Sequence, residues 1–332
     1  MSVLSYFHPT TVIFIDDNEL FLRGLDAELP RIRPFELHHD PCVALDAVNR
    51  ILKTGHLADR VFTHREQAPD ASSATVHLDL SLIEQEIKLT DRFRHVSIAF
   101  IDYAMPGIDG LEFSAGIEDP FVKKILLTGV ADEHRAVAAF NDGLIHKYLP
   151  KQATADPLNV LKVVREMERA YFAELHGRMN HALADTAKSF IDDAHFIEHF
   201  NQTCAELHIV EYYRVNQPLG YLLLDAAGSI HRMLVADALE FDKQYSYARA
   251  HSAPANVIDA LQGRQAIGFF YEPVETFFDH SKFTWDDYLV PVTRQGPDWY
   301  AALAPDPPVD IDYDPAVSSL SSFMASLGPR VY

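Results

Sequence analysis

The chain is short of cysteine, of basic residues and of long apolar runs, and each shortage excludes a class of protein. The two cysteines among 332 residues, Cys42 and Cys204, are far apart and form no metal-ligand spacing. They build no disulfide framework, which fits a reducing compartment. Lysine and arginine total 28 against 48 aspartate and glutamate, a formal net charge of −20. Most non-specific affinity for nucleic acid comes from basic residues, so this balance argues against DNA binding. No stretch approaches the roughly 18 apolar residues of a membrane-spanning helix. Met1 to Asp16 has no basic start and only the short apolar run Val12 to Ile15, so no signal peptide is expected. A cytoplasmic protein is the expectation.

What is present is ample core material. Apolar residues make up 48% of the chain, and its length suggests two domains. Residues 11–15 are apolar and partly β-branched, the pattern of a buried strand ending at Asp16 and Asp17. A helix is expected from about Asn18 to Leu29, a strand at 35–39, and a helix opened by Pro41 that runs to about Leu52. The stretch 55–95 breaks the rhythm and reads as an insertion, polar at 64–73 and helical at Leu78–Leu89. Alternation then resumes: strands at Val96–Ile101, Lys124–Leu127 and Leu144–Leu149, with a helix at Glu133–Asn141. Strands alternating with helices imply a parallel sheet covered on both faces.

From Pro157 a long helix carries an apolar stripe: Leu161, Val164, Met167, Tyr171, Leu175, Met179 and Ala182. Such a stripe packs on the first domain, on a partner helix, or on both. A further helix is expected at Ser189–Cys204. The last third reads as α+β, with strands at Ile209–Val215, Gly220–Leu224, Ile230–Val235, Ala266–Tyr271, Asp287–Thr293 and Trp299–Leu303, and helices near 238–250 and 254–263. The expected division is 1–155, a helical linker 156–204, a domain 205–305, and a loose Pro/Asp/Ser-rich tail 306–332.

Asp16, Asp17 and Asp102 all fall at carboxyl ends of expected strands. In a doubly wound sheet, that edge is where ligands bind. Carboxylates brought so close repel one another and call for a cation. A few hard oxygen ligands suit Mg²⁺, which keeps water and takes further oxygens from a phosphoryl group. A carboxylate there can attack phosphorus and form an aspartyl phosphate. Thr128 and Lys151 reach the same edge, a hydroxyl donor and a point charge for phosphoryl oxygens.

These residues resemble the signature of CheY-like receiver domains of two-component response regulators. The pieces are Ile15-Asp16-Asp17-Asn18, Asp102-Tyr-Ala-Met105-Pro106-Gly107-Ile108-Asp109-Gly110, Leu127-Thr128-Gly129 and Tyr148-Leu149-Pro150-Lys151, in the family's order over about residues 10–155. The resemblance implies a doubly wound five-stranded parallel sheet of order 2-1-3-4-5. It implies that Asp102 accepts phosphate from a sensor histidine kinase or phosphotransfer protein. It implies that Asp16, Asp17, Asp102 and the Ala104 carbonyl hold Mg²⁺, and that Thr128 and Tyr148 are a switch pair. Two features depart from the family: the 55–95 insertion, which offers a partner surface, and Gln152 where proline usually follows the lysine. Ala104 and Val130 offer no side chain to position water, so slow self-dephosphorylation is expected.

The carboxyl half is less informative. A hairpin, a helical segment and three strands is the order of a PAS-like sensor domain, and Gly220 to Arg232 resembles the opening hairpin of one. No basic recognition helix, phosphate-binding glycine loop or cyclic-dinucleotide signature is present. His195-Phe-Ile-Glu198-His199 has the spacing of an inverted zinc-protease motif but lacks an identifiable third ligand. His181 on the long helix and His231 on a strand read as ordinary surface or packed residues rather than a phosphoacceptor or a haem ligand. The resulting expectation is a non-enzymatic regulator with a smaller PAS-like α+β output domain. It would signal by protein contact or by dimerisation through the long helix. The rivals are a zinc-hydrolase output and an atypical DNA-binding regulator.

Overall fold

The computed structural model describes residues 2–50, 55–57, 59–60, 80–129, 133–183, 190–216, 218–269, 284–304 and 311–328, with backbone only at 80, 81, 133, 178–183 and 216. Two compact units emerge. One comprises His8–Arg60, Leu89–Met179 and Leu320–Tyr332; the other comprises Met1–Phe7, Val61–Lys88 and Asn180–Ser319.

Along the chain, β1 (Tyr6–Phe7) belongs to the second unit, and β2 (Thr11–Ile15) begins the first. Then follow α1 (Glu19–Glu28), β3 (Phe35–His38), α2 (Pro41–Val48) and α3 (Leu80–Lys88). Next come β4 (Val96–Asp102), α4 (Gly110–Ala115), β5 (Lys123–Thr128), α5 (Glu133–Asn141), β6 (Lys147–Pro150) and α6 (Pro157–Leu183). The sheet of the first unit has order β3-β2-β4-β5-β6, every pair parallel, which is 2-1-3-4-5 in its own strands. Strand side chains alternate between faces, and here both faces are core. Val12, Phe14, Ile98 and Phe100 pack against Leu22 and Leu25 of α1 and Val160, Val164 and Met167 of α6. Ile13, Ile15, Ala99 and Ile101 pack against Ala44 and Val48 of α2 and Phe113 of α4. Phe14 and Phe100 stack with centroids 4.4 Å apart, so neighbouring strands lock at mid-sheet.

Helix ends follow their capping residues. Asn18 accepts from the Leu20 and Phe21 amides and starts α1; Asp40 does the same for α2, with Pro41 in the first turn. The helix expected to reach Leu52 ends at Val48, capped at Asn49, whose side chain is drawn to Gly116.

Two expectations change. The insertion's helix, α3, is not a free surface: Leu82, Ile83 and Ile87 are buried, and it packs against β7 (Ile209–Asn216) and the short helix Pro315–Ser318 of the second unit. Residues 61–79 of the insertion lie outside the described residues. The tail is not loose throughout, since Pro315–Ser318 and Leu320–Ser326 are helices, and Leu320 and Phe323 are buried, Phe323 against Phe93. Its composition masked two well-spaced apolar residues. Of the alternatives for the apolar stripe of α6, packing on the first unit is seen for Leu161, Val164 and Met167, and Tyr171 and Leu175 are buried as well. The side chains of Met179, His181 and Ala182 lie outside the described residues.

The second unit continues with α7 (Ala194–Glu206), β7, β8 (Leu219–Asp225), β9 (Ile230–Ala236), α8 (Ala238–Ala250), α9 (Ala255–Gln262), β10 (Ala266–Gly268), β11 (Leu289–Gln295) and β12 (Tyr300–Ala304). Its antiparallel sheet has seven strands in order β1-β7-β8-β9-β12-β11-β10. The hairpin, two helices and three strands stand in the expected sequence. The sheet then extends beyond β8 through the expected β7 and through β1, a strand not expected from the sequence. Phe196 and Phe200 of α7 cover Tyr221, Leu223, Met233 and Val235, while Phe241 of α8 covers Leu234 and Ala236 on the other face.

Candidate functional site

The parallel register delivers the acidic residues to one edge. Ile15 pairs with Ile101, so the residues that follow, Asp16 and Asp102, leave neighbouring strands side by side. Asp102 pairs with Leu127, placing Thr128 one step beyond it, and Thr128 pairs with Pro150, next to Lys151. Carboxylate oxygens of Asp16, Asp17 and Asp102 all lie within 4.8 Å of one another. Asp16 and Asp102 are buried, whereas Asp17 is exposed. Buried acids beside an exposed one form a cup open to water on one side, the donor set of a hard divalent cation.

Lys151 closes the cup. Its ammonium lies 2.8 Å from Asp102 and 2.8 Å from Asp16. The missing proline after it therefore does not withdraw the lysine. The Phe21 ring stands 5.3 Å from the same nitrogen, an aromatic wall that periodicity alone had assigned to α1. Burial pushes the Asp102 carboxyl above its ordinary range and the Asp16 charge adds to this, while Lys151 and the Ala104 amide oppose it. Burial works against the Lys151 charge, but its hydrogen bonds to Asp102 and Asp16 outweigh that and hold it above its usual range. Lys151 is thus the counter-charge of both Asp16 and Asp102.

The loop after Asp102 is built position by position. Met105 is buried among Ile101 and Phe113. Asp109 caps α4 with a reciprocal Glu112 contact, a capping box. Gly110 passes under the backbone: a Cβ there would stand 2.4 Å from the Asp102 carbonyl oxygen. The motif residues outside the acid are therefore structural, holding the strand end and helix start together.

Thr128 donates its hydroxyl to the Leu149 carbonyl at 3.4 Å, a long bond that a better acceptor can displace. Tyr148 is half-buried against Tyr103, Leu126 and Ile145, its ring edge-on to Phe140. Of the backbone at Ala104, the N–H on Asp102 is the contact the structure gives. Val130 lies outside the described residues.

The carboxyl unit brings together what the sequence kept apart. His195 and His199 lie one turn apart on α7 and line a cleft that also holds Arg294 and Trp299, nearly a hundred residues downstream. Among the described residues no third histidine, cysteine or carboxylate lies close enough to join the two histidines. No spacing in the sequence could have announced Arg294 or Trp299. His231 is half-buried on β9, opposite Leu223.

The parallel sheet of order 2-1-3-4-5, with its acidic edge, has the receiver fold of two-component response regulators. Over its whole length the chain is similar to a response regulator. The solved structure of the Legionella pneumophila response regulator LqsR covers 98% of this chain and 96% of its own, with TM-score 0.74 and 27% identity. A CheY-like receiver domain protein from Methanospirillum hungatei covers 50% of this chain and 98% of its own at 16% identity and TM-score 0.34. The receiver domain of AraT from Geobacillus stearothermophilus covers 50% and 97% at 19% identity and TM-score 0.30. No protein-family model and no curated protein matches the chain. Among the described residues no helix is long and apolar enough to cross a membrane.

Proposed function

We propose that the chain is a cytoplasmic response regulator that takes a phosphoryl group on Asp102 from a histidine kinase or phosphotransfer partner. The observation that carries this reading is the triad of carboxylates within 4.8 Å, with Lys151 bonded to Asp16 and Asp102. Asp16, Asp17 and Asp102 would hold Mg²⁺, with the Ala104 carbonyl as a further ligand. The ion would offset phosphoryl charge during transfer. Asp102 attacks phosphorus and forms a new P–O bond while the donor's P–N bond to histidine breaks (P–O in acetyl phosphate), and the leaving imidazole or acetate departs with that electron pair. Lys151 then pairs with a phosphoryl oxygen.

Thr128 exchanges its long bond to Leu149 for the phosphoryl group, and Tyr148 moves toward the space it leaves. The moving surface is then β6 with α5, where Val137 and Phe140 are already exposed. Output would pass through protein contact, self-association included, on a surface other than the buried stripe of α6. Ala104 positions no water, so the phosphoryl group should persist well beyond seconds. Size-exclusion chromatography of the full chain, with and without acetyl phosphate and Mg²⁺, tests the output. A smaller elution volume on phosphorylation supports self-association, and an unchanged volume assigns the output to a different protein partner.

A further inference from the structure

Lys151 is held separately at its backbone and at its ammonium. From Lys151 to Ala155 the chain winds a 3₁₀ turn. The Thr154 hydroxyl donates to the Lys151 carbonyl at 2.7 Å, and the Asn159 amide donates to the Ala153 carbonyl at 2.8 Å. Thr154 is buried, so the turn is anchored in the fold. These contacts fix the main chain and no more. A lysine side chain is a flexible four-carbon stem, so the place of its charge is set by what the ammonium touches.

The ammonium touches three groups. Two are the carboxylates of Asp16 and Asp102, each at 2.8 Å. The third is the Phe21 ring, its centroid 5.3 Å from Nζ, inside the roughly 6 Å over which an aromatic face attracts a cation. The ring is itself built into the site. The Asp16 carboxylate accepts from the Asn18 amide at 3.0 Å. Asn18 in turn caps α1 and accepts from the Phe21 amide at 3.3 Å. Two hydrogen bonds thus tie the ring to the acid it stands beside. Phe21 is half-buried and packs on the same core as Leu149, which lies two residues before Lys151.

A ring suits this position better than its alternatives. Lys151 meets carboxylates before transfer and phosphoryl oxygens after it, and it keeps its three protons throughout. A third carboxylate would hold the ammonium, but it would also bind the metal ion and repel the phosphoryl group. An amide oxygen would likewise add a metal ligand. An aliphatic side chain would strip water from the charge and return nothing. A ring face attracts the cation through its quadrupole and offers no lone pair to Mg²⁺.

We propose that Phe21 is a positioning residue for phosphoryl transfer, its ring holding the Lys151 ammonium at Asp16 and Asp102 without supplying a rival ligand to the metal. The proposal rests on the reading of Asp102 as phosphoacceptor. It makes Phe21→Leu a muted copy of Lys151→Ala. The site loosens its own counter-charge, so Mg²⁺ competes better, and the ammonium is less often in place for the phosphoryl group.

The test uses the full chain, with Mg²⁺ affinity from calorimetry and uptake from acetyl phosphate at saturating Mg²⁺ from intact mass over time. Phe21→Leu should slow uptake about threefold or more and tighten Mg²⁺ by a similar factor. Phe21→Tyr keeps the ring and should restore both. A ring-fluorinated phenylalanine at position 21 keeps the packing and weakens the quadrupole, so it should act as Phe21→Leu does even where the leucine variant folds poorly. In a Lys151→Ala chain, Phe21→Leu should leave Mg²⁺ affinity where it is. A merely loosened core would not slow uptake while tightening the metal. A fluorinated ring that behaves as phenylalanine in both measurements overturns the proposal, and so does a Phe21→Leu effect that persists in Lys151→Ala. If the unaltered chain binds Mg²⁺ and takes up no phosphoryl group, the reading of Asp102 fails; an Mg²⁺ affinity that fluorination leaves unchanged counts against the ring alone.

Discussion

Arg33 forks onto Glu168, its two terminal nitrogens 2.6 and 3.0 Å from the two carboxylate oxygens, with the Glu168 side chain only 3% exposed. The same carboxylate accepts from the Thr10 hydroxyl at 2.7 Å and the Thr10 amide at 3.3 Å. One buried acid therefore ties α6 to the segment entering β2 and to the loop before β3. Removing one partner of a buried pair leaves the other charge uncompensated, at a cost of about 3–5 kcal/mol. Glu168→Ala should lower the urea midpoint by that measure. The double change Arg33→Met with Glu168→Leu should recover most of the loss, since it strands no charge.

Asp102→Asn should raise thermal stability at pH 7 in the absence of divalent metal. A carboxyl whose folded pKa is raised contributes stability below its unfolded pKa and loses it as pH rises through the folded value. At neutral pH the wild-type carboxylate is past that window, and asparagine is not subject to it. A gain of about 2 °C or more by calorimetry is expected, with added Mg²⁺ stabilising the wild type more than the variant.

Lys151→Ala separates two roles of the ammonium. It should tighten Mg²⁺ binding, because a cation 2.8 Å from Asp16 and Asp102 no longer competes. It should also slow phosphoryl uptake, because the phosphoryl oxygens lose their partner. Mg²⁺ titration by intrinsic fluorescence and the rate of uptake from acetyl phosphate read the two effects independently.

Gly110→Ala tests the loop that carries Asp102. The added methyl meets the Asp102 carbonyl oxygen at 2.4 Å and Tyr103 Cα at 3.0 Å, backbone that has no flexible end to move. Overpacking of this kind costs about 1–3 kcal/mol. Stability and phosphoryl uptake should fall together.

Acid should destabilise the first unit before its carboxylates titrate. Burial, then the neighbouring His56 charge, brings His95 down from 6.5 to about 4. Its ring stacks on His56, which reaches Asp119 at 3.0 Å. A depressed histidine is neutral in the folded state, so the unfolded chain binds more protons between pH 6.5 and 4 and stability falls as pH falls through that window. The full shift amounts to roughly 3 kcal/mol. His95→Gln should flatten the dependence of the urea midpoint on pH over that range.

Four of the five receiver strands, β2, β4, β5 and β6, were legible because each leads to a chemical marker, whereas β3 carries none. Asp16, Asp102, Thr128 and Lys151 could be placed from one dimension because parallel register sends all strand ends to one edge. Other features had no such marker. Tyr6–Phe7 is too short for periodicity, yet it adds a strand to β7. Phe323 sits in a polar tail, and its burial against Phe93 depends on a partner over two hundred residues away. The cleft at Trp299 joins α7 to a turn that only the antiparallel sheet brings near.

The most direct test of the account is the intact mass of the full chain after incubation with acetyl phosphate and Mg²⁺, beside Asp102→Asn and a chelator control. The account predicts a gain of one phosphoryl group that needs the metal and vanishes in the variant. No gain under conditions where Mg²⁺ binds, or a gain that survives Asp102→Asn, would contradict it.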